Sequence, residues 1–482
     1  MGSTDCVPGM RLRLGPGLGL LSVLCCLALG PEAILGAKIL VMPVEGSHWL
    51  SMKLLVNELA ARGHEMVVLV PETSLHIGGK SDFYRAETFK VPYTKAQLVQ
   101  DVDKMKDKIF HKAPVITDLF VNIQGLVNWT SLQVKGCEGL LYDKPMMQRL
   151  RREGFQLMLT DPFLPCGSIL AESFNIPAVY FLRGLPCGLD EMATQCPTPP
   201  SYVPRLFTGN TDHMDFLGRV KNMLMYGVEI YLCKALFASF DELTSTYLEK
   251  DMTYRELLGH GSIWLLRYDF AFEYPKPRMP NMVNIGGINC GKSGPLPADL
   301  EEFVEGSGED GFVIFTLGSM ISSMPEEKAK QLFDAFSKIP QRVVWRYTGV
   351  VPDNPPANVK VMKWIPQNEL LGHAKVKAFI THGGTHGIYK GICNAVPMVM
   401  LPLIGDQGDN AYHMVVRGVG VKLSVFDITA DKLVEALNTV INDTRTVGCK
   451  NCKRRVEPRD SQNRENPEFE SGVSQANISP YH

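Results

Sequence analysis

Short apolar runs rich in β-branched residues, each followed by a stretch of helical period, recur along this chain and decide its fold class. AKILVMPV (37–44) leads into EGSHWLSMKLLVNELAARGHEM (45–66), where apolar residues return every three or four positions, and VVLVPE (67–72) follows. Strand, helix and strand in that order predict an α/β fold with helices on both faces of a parallel sheet. GFQLMLTDPF (154–163) and IPAVYFL (176–182) continue the pattern. A second series runs through FVIFTLGS (312–319), RVVWRY (342–347), VKVMKWIP (359–366), VKAFITHGG (376–384) and VPMVMLPL (396–403). Between the two lies EYPKPRMPNMVNIGGINCGKSGPLP (273–297), dense in proline and glycine, which reads as an interdomain linker. A chain of 482 residues is long enough for two cores, and the expected domains are 38–285 and 286–444.

The ends of the chain read differently. Arg11 and Arg13 precede LGPGLGLLSVLCCLALG (14–30), so residues 1–37 read as a signal peptide, with a retained anchor as the alternative. Either one directs the chain into the secretory pathway. Sequons at Asn128, Asn442 and Asn477 fit that compartment, the last weakened by Pro480. Residues 445–482 hold almost no apolar side chains and read as a disordered polar tail. Residues 214–240 have the period of a long helix, interrupted by Arg219, Lys221, Glu229 and Lys234, which argues against a membrane span. Packing on a core, a place on a membrane surface and a pocket wall all fit it. The 12 cysteines are scattered, mostly among apolar residues, and read as buried thiols. Cys449-Lys-Asn-Cys452 is a CxxC with no second pair and a poor zinc site. A net charge of −2 lacks the basic excess of a nucleic-acid binder, so no nucleic-acid partner is expected.

Ligands of open parallel sheets bind outside the carboxyl ends of the strands. That rule selects His48, which follows the first strand, and Asp161, Ser319 and His382, which end later ones. Asp406 and Gln407 follow VMLPLIG. His382-Gly383-Gly384-Thr385-His386 opens a helix, and glycines there let backbone N–H groups approach an anion. The two histidines are also spaced for zinc, but Gly383 and Gly384 oppose a helix spanning them and no HExxH glutamate is present, so no metal is expected.

The stretch WIPQNELLGHAKVKAFITHGGTHGIYKGICNAVPMVMLPLIGDQGDN (364–410) resembles the signature of the UDP-glycosyltransferases. PVEGSHWLSM (43–52), LTDPFLPCG (159–167), WLLRYDFAFEYPKPRMPN (264–281) and FTLGSM (315–320) resemble the animal UDP-glucuronosyltransferases in particular. The resemblance covers about 38–444. It implies two facing Rossmann-like domains of GT-B type, the first for a lipophilic acceptor and the second for the UDP-sugar. It implies an inverting transfer of glucuronic acid with no metal and no cofactor beyond UDP-glucuronate as co-substrate. His48 would be the base, since imidazole has a pKa of about 6.5, and Asp161 would orient it. Trp364 would stack on uracil and Gln367 would reach the nucleoside. Ser319, His382 and the N–H groups after Gly383 would hold the diphosphate, and Gly384, Thr385, His386 and position 390 would also belong to the UDP-sugar site. Asp406 and Gln407 would bind sugar hydroxyls. Arg267 would meet the glucuronate carboxylate or form a structural ion pair.

Two departures stand out. Position 390 carries a lysine where the resemblance implies a ribose-binding glutamate, and an ammonium only donates hydrogen bonds. Losing such bonds to a charged group costs about 1.5–3 kcal/mol, so weaker UDP-sugar binding is expected. The tail from 445 also replaces the helices, membrane span and basic tail that the resemblance implies. The expected protein is therefore lumenal in the endoplasmic reticulum, without a C-terminal anchor, and at most peripherally bound to the membrane. An active transferase and a weakened relative that pairs with other family members both follow from these residues, as does homo- or hetero-oligomerisation.

Overall fold

The computed structural model describes residues 36–78, 81–100, 109–110, 115–291 and 293–442. The signal segment, the tail with Cys449 and Cys452, and Asn477 lie outside them. Thirteen strands are present among the described residues: β1 (Lys38–Met42), β2 (Glu65–Pro71), β3 (Arg85–Phe89), β4 (Leu157–Thr160), β5 (Ala178–Leu182), β6 (Ile263–Leu266), β7 (Met282–Asn284), β8 (Phe312–Thr316), β9 (Arg342–Arg346), β10 (Val359–Met362), β11 (Val376–Thr381), β12 (Met398–Met400) and β13 (Gly420–Lys422). The helices are α1 (Ser47–Ala61), α2 (Val115–Leu141), α3 (Lys144–Arg152), α4 (Cys166–Phe174), α5 (Leu189–Ala193), α6 (Phe216–Leu248), α7 (Tyr254–Gly259), α8 (Ala298–Glu305), α9 (Glu326–Ser337), α10 (Gln367–Gly372), α11 (Thr385–Cys393), α12 (Gln407–Val416) and α13 (Ala430–Asn442).

The strands form two wholly parallel sheets, in the orders β3-β2-β1-β4-β5-β6-β7 and β10-β9-β8-β11-β12-β13. The inner strands of both sheets are buried on both faces, which is why they read as unbroken apolar runs. In β1, Leu40 and Met42 join one core while Ile39 and Val41 join the other. In β8, Phe312 and Ile314 face one way and Val313 and Phe315 the other. Strand order reverses between β1 and β4 in the first sheet and between β8 and β11 in the second. Such reversals open a crevice at the carboxyl ends of the flanking strands.

Three sequence expectations need correction. The Pro/Gly-dense stretch from 273 is not wholly a linker, because β7 within it adds an edge strand to the first sheet. The long helix α6 runs on to Leu248, and only one of its faces packs on the core, through Cys233, Leu236, Phe237, Phe240 and Leu243. The buried cysteines are mostly not free thiols. Cys137 pairs with Cys166, Cys187 with Cys233 and Cys290 with Cys393, leaving Cys196 unpaired among the described residues. The partners lie 29, 46 and 103 residues apart, so spacing gave no hint of them, whereas the expected secretory leader implies an oxidising compartment.

Candidate active site

The first reversal brings together two of the expected residues. His48 lies in the first turn of α1, just after β1, and Asp161 follows β4 directly. Met42 and Thr160 are paired in register at the ends of those strands, so the two side chains meet. His48 Nδ1 lies 2.6 Å from Asp161 Oδ2. The other carboxylate oxygen, Oδ1, accepts the Phe163 N–H at 3.0 Å. Asp161 is 1% exposed whereas the His48 side chain is 29% exposed, so the carboxylate orients the ring and the ring alone can be reached by a ligand. A carboxylate accepts at Nδ1–H, which leaves Nε2 with its lone pair as the basic atom. The Phe163 ring tilts against the imidazole, with centroids 5.6 Å apart.

The second reversal assembles the other half. Ser319 follows β8, and His382 follows β11. The His382 ring is enclosed by glycines. A Cβ on Gly318 would come within 2.6 Å of its Cε1, and one on Gly384 within 2.5 Å of its Nε2. Its Nδ1 is buried without a partner, and burial pushes its pKa down to about 4, so the ring is neutral. Gly383 has φ +86°, a left-handed turn that opens α11, and Gly384 caps that helix without a side-chain hydrogen bond. The first N–H groups of α11, from Thr385 on, are thus left for an anion.

Around this turn the remaining residues take up distinct positions. Gln407 Oε1 accepts the N–H groups of Leu403 (2.8 Å) and Ile404 (3.1 Å), which leaves its amide hydrogens to donate. Asp406 precedes α12, and its Oδ2 accepts from Asn410 Nδ2 at 2.9 Å. The Trp364 ring is 55% exposed, open for stacking, and is backed on one side by the Arg346 guanidinium at 5.0 Å. Gln367, at the start of α10, has a buried Nε2 without a hydrogen-bond partner. Lys390, on α11, is partly buried, and desolvation lowers its pKa, opposed only by Glu369. Arg267 directly follows β6, is 3% exposed, and donates from Nη1 to Ser51 Oγ at 3.2 Å, with Nε unpaired. Burial lowers its pKa, while Asp161 and Asp406 oppose that effect from the two domains.

The two halves face each other. Ser51 Oγ of α1 lies 2.9 Å from His386 Nδ1 of α11. Arg183 pairs with Glu273 at 2.5 Å and donates to Asn410 Oδ1 at 3.4 Å. Arg417 donates to the carbonyls of Ala271 and Glu273 at 3.1 and 3.0 Å, and Asp409 Oδ2 accepts the Phe207 N–H at 2.7 Å. The Cys290–Cys393 bond ties the connecting segment to the end of α11. Sequence reasoning missed Ser51, Arg183, Arg346 and Asn410. Each acts by holding another residue, and only their place in the fold reveals that. The His382 ring is enclosed by glycines, and the His386 ring turns its Nδ1 to Ser51. Among the described residues, three ligand-type side chains meet at Glu301, Glu305 and His373, near the amino ends of β8 and β11. There His373 Nδ1 accepts the Lys375 N–H at 3.1 Å, so Nε2 carries the proton toward the carboxylates.

A family model described as "UDP-glucoronosyl and UDP-glucosyl transferase" matches residues 37–450. The chain is 49% identical over 425 residues to UDP-glucuronosyltransferase 1-2 of Rattus norvegicus, covering 88% of this chain and 79% of that protein. It is 52% identical over 378 residues to the UDP-glucuronosyltransferase of Pleuronectes platessa, covering 78% of this chain and 80% of that one. Among solved structures, Os79 from O. sativa in complex with UDP matches with a TM-score of 0.59 at 15% identity, covering 91% of this chain and 99% of that chain. The calicheamicin glycosyltransferase CalG4 matches with a TM-score of 0.56 at 17% identity, covering 92% and 100%. At such identities these two speak to the fold alone, and the fold is the GT-B pair of Rossmann-like domains. Sequence, fold and the two facing crevices agree that the chain belongs to the UDP-glycosyltransferase family, among relatives that are UDP-glucuronosyltransferases.

Proposed function

We propose that the protein transfers glucuronic acid from UDP-glucuronate to a hydroxyl of a small lipophilic acceptor, with inversion at the anomeric carbon. The observation that carries this reading is the His48–Asp161 pair at 2.6 Å, set at one strand-order reversal and facing the uncapped start of α11 at the other. His48 Nε2 takes the acceptor's hydroxyl proton as its oxygen attacks the anomeric carbon. The bond from that carbon to the diphosphate oxygen breaks, and UDP leaves with the electron pair. Asp161 stabilises the imidazolium that forms. The N–H groups at the start of α11 stabilise the charge on the departing diphosphate, so the step needs no metal. Asp406 and Gln407 select the sugar by accepting from and donating to its hydroxyls, and Arg267 lies between the two halves as the counter-charge to its carboxylate.

The reading extends to the protein's setting. Entry into the endoplasmic reticulum lumen agrees with the leader and with the three disulfides. Asn128 and Asn442 are exposed and suited to glycosylation. The outer face of α6 suits contact with an anionic membrane surface. Phe216, Leu217, Val220, Leu224, Val228 and Tyr231 are exposed there. The exposed charges along Phe216–Phe240 are Arg219, Lys221 and Lys234, and the one acid, Glu229, is buried beside Arg205. High identity to named enzymes supports turnover over a purely regulatory role.

The test is incubation of the purified chain with UDP-glucuronate and a panel of phenols and lipophilic alcohols. UDP-glucose and other UDP-sugars serve as competitors. The expected result is a glucuronide whose formation His48→Ala abolishes. No UDP-glucuronate-dependent product, or turnover that survives His48→Ala, overturns the reading.

A further inference from the structure

Ser51 lies on α1 one turn beyond His48, fully buried, where the two domains touch. Its hydroxyl has three partners. It donates to the Ser47 carbonyl at 3.0 Å, the back-bond that a serine makes within a helix. With its one proton so used, the oxygen accepts from the other two, Arg267 Nη1 at 3.2 Å and His386 Nδ1 at 2.9 Å. This network assigns the His386 ring as the Nδ1–H tautomer, so Nε2 carries a lone pair. Burial, reinforced by Lys390 and Arg267, keeps the ring neutral. A neutral imidazole nitrogen with a lone pair repels a phosphate oxygen, which is itself an acceptor, and suits a hydroxyl. A second contact supports the docking of α1 on the donor half. Gly46, just before α1, is seated so closely that a Cβ there would lie 3.2 Å from Met320 Sδ and 3.5 Å from Ser319 Oγ.

We propose that Ser51 is a positioning residue for the transfer: it fixes His386 as the acceptor of a hydroxyl of the donor sugar and holds α11 in place against the helix that carries the base. The proposal rests on the transferase reading above. It assigns the sugar, not the diphosphate, to His386. It also makes the buried serine the joint through which the acceptor half senses the donor half.

Calorimetric titration with UDP and with UDP-glucuronate separates the roles. The proteins are wild type, Ser51→Ala, His386→Ala, the double variant, and Ser51→Thr, which keeps the hydroxyl. Ser51→Ala is expected to weaken UDP-glucuronate about tenfold and UDP less than about twofold, the difference being one hydrogen bond to the sugar. The double variant is expected to bind no worse than the weaker single one, since the two residues act as a unit. Ser51→Thr is expected to restore most of the loss, and kcat for Ser51→Ala to fall while the acceptor KM holds. Equal losses for UDP and UDP-glucuronate, or additive losses in the double variant, overturn the proposal. If Ser51→Ala does not fold, His386→Gln replaces it. Its amide can still donate to Ser51 and its carbonyl still accept, so it is expected to keep the preference for UDP-glucuronate over UDP that His386→Ala loses, and equal behaviour of the two overturns the proposal. Wild-type protein that binds neither ligand overturns the transferase reading and this one with it, whereas normal wild-type binding with unselective losses overturns this one alone.

Discussion

At the scale of single residues, Asp161 sets which nitrogen of His48 is basic. A carboxylate at 2.6 Å can only accept, so it holds the proton on Nδ1. Asp161→Asn can present its NH2 to that nitrogen and reverse the tautomer, which leaves Nε2 protonated and unable to act as a base. The expected loss is about 10²–10⁴-fold in kcat with the KM for UDP-glucuronate little changed. Steady-state kinetics check it, and a parallel rise in donor KM would contradict the assignment. Lys390 gives the opposite kind of prediction. Its ammonium is partly buried, its pKa is lowered by desolvation, and it adds positive charge beside His386. Lys390→Glu exchanges a buried donor for an acceptor of ribose hydroxyls and is expected to tighten UDP binding by about tenfold or more. Weaker binding by the glutamate form, read by calorimetry, would mean that Lys390 serves the diphosphate instead. The site was legible to the extent that strand ends are legible. His48, Asp161, Ser319 and His382 were selected because each follows an apolar run. That His48 meets Asp161 came from the family resemblance and not from the strand pattern, because β1 and β4 are neighbours only through a crossover of more than 100 residues. Ser51 and Asn410 carry no sequence signal at all, since a helical serine or asparagine is usually no more than a polar side chain.

At the scale of elements, the outer face of α6 and the Cys290–Cys393 bond are each expected to act where they stand. Helix α6 is long enough to cross a membrane and holds an 18-residue stretch apolar enough to do so, of mean hydropathy 1.4. Its inner face is nevertheless committed to the core, and Arg205 lies 3.4 Å from Glu229 on it. That leaves an outer face suited to lie on a membrane surface. Leu217→Asp with Leu224→Asp is expected to reduce flotation with vesicles containing phosphatidylserine and to leave UDP affinity unchanged. Undiminished flotation would count against a membrane role for this face. The Cys290–Cys393 bond closes a span of 103 residues, for which chain entropy gives about 4.7 kcal/mol of stabilisation. Replacing both cysteines by alanine is expected to lower Tm by several degrees and to raise the donor KM, because the bond anchors the end of the helix whose start is proposed to bind the donor. Unchanged Tm and KM would show that the hydrogen bonds of the seam suffice. Elements were legible where they are buried on both faces. The edge strands β3, β7 and β13 and the inner strand β6 were not, because RAETF, MVN, GVK and IWLL are short or polar and owe their conformation to a neighbouring strand.

At the scale of the whole molecule, the buried titratable groups of the two domains oppose each other. In the second, burial pushes His382 down to about 4 and His413 down to about 3, the latter also through Arg183 and Arg417. An unfolded histidine binds its proton at about 6.5, so the folded form is the poorer proton binder below that pH. These groups contribute stability that is present above about 6.5 and lost as the pH falls toward 4 and 3. In the first domain, burial raises Glu229 to about 7 and Asp190 to about 6, so here the folded form is the better proton binder. Their contribution is present below about 4 and lost as the pH rises toward 6 and 7. Asp409, raised by burial within the second domain, offsets part of the histidine effect there. Glu45, Glu153 and Glu172 are held low by their partners, so their changes fall below this window. Acidification from pH 7 to pH 5 is therefore expected to weaken the second domain and strengthen the first. His413 is the group to alter, because it packs against Tyr274 at 4.0 Å and Phe272 at 5.2 Å, and the proposed chemistry does not use it. Its Nδ1 is buried without a partner, and the hydrogen bond that the ring makes to the Phe272 backbone is given up by the variant at both pH values alike. Scanning calorimetry of wild type and His413→Leu at both pH values should show a smaller acid-induced fall in the second domain's transition for the variant. An equal fall in the two proteins would mean that the seam at Tyr274 and Phe272 does not sense pH through this ring.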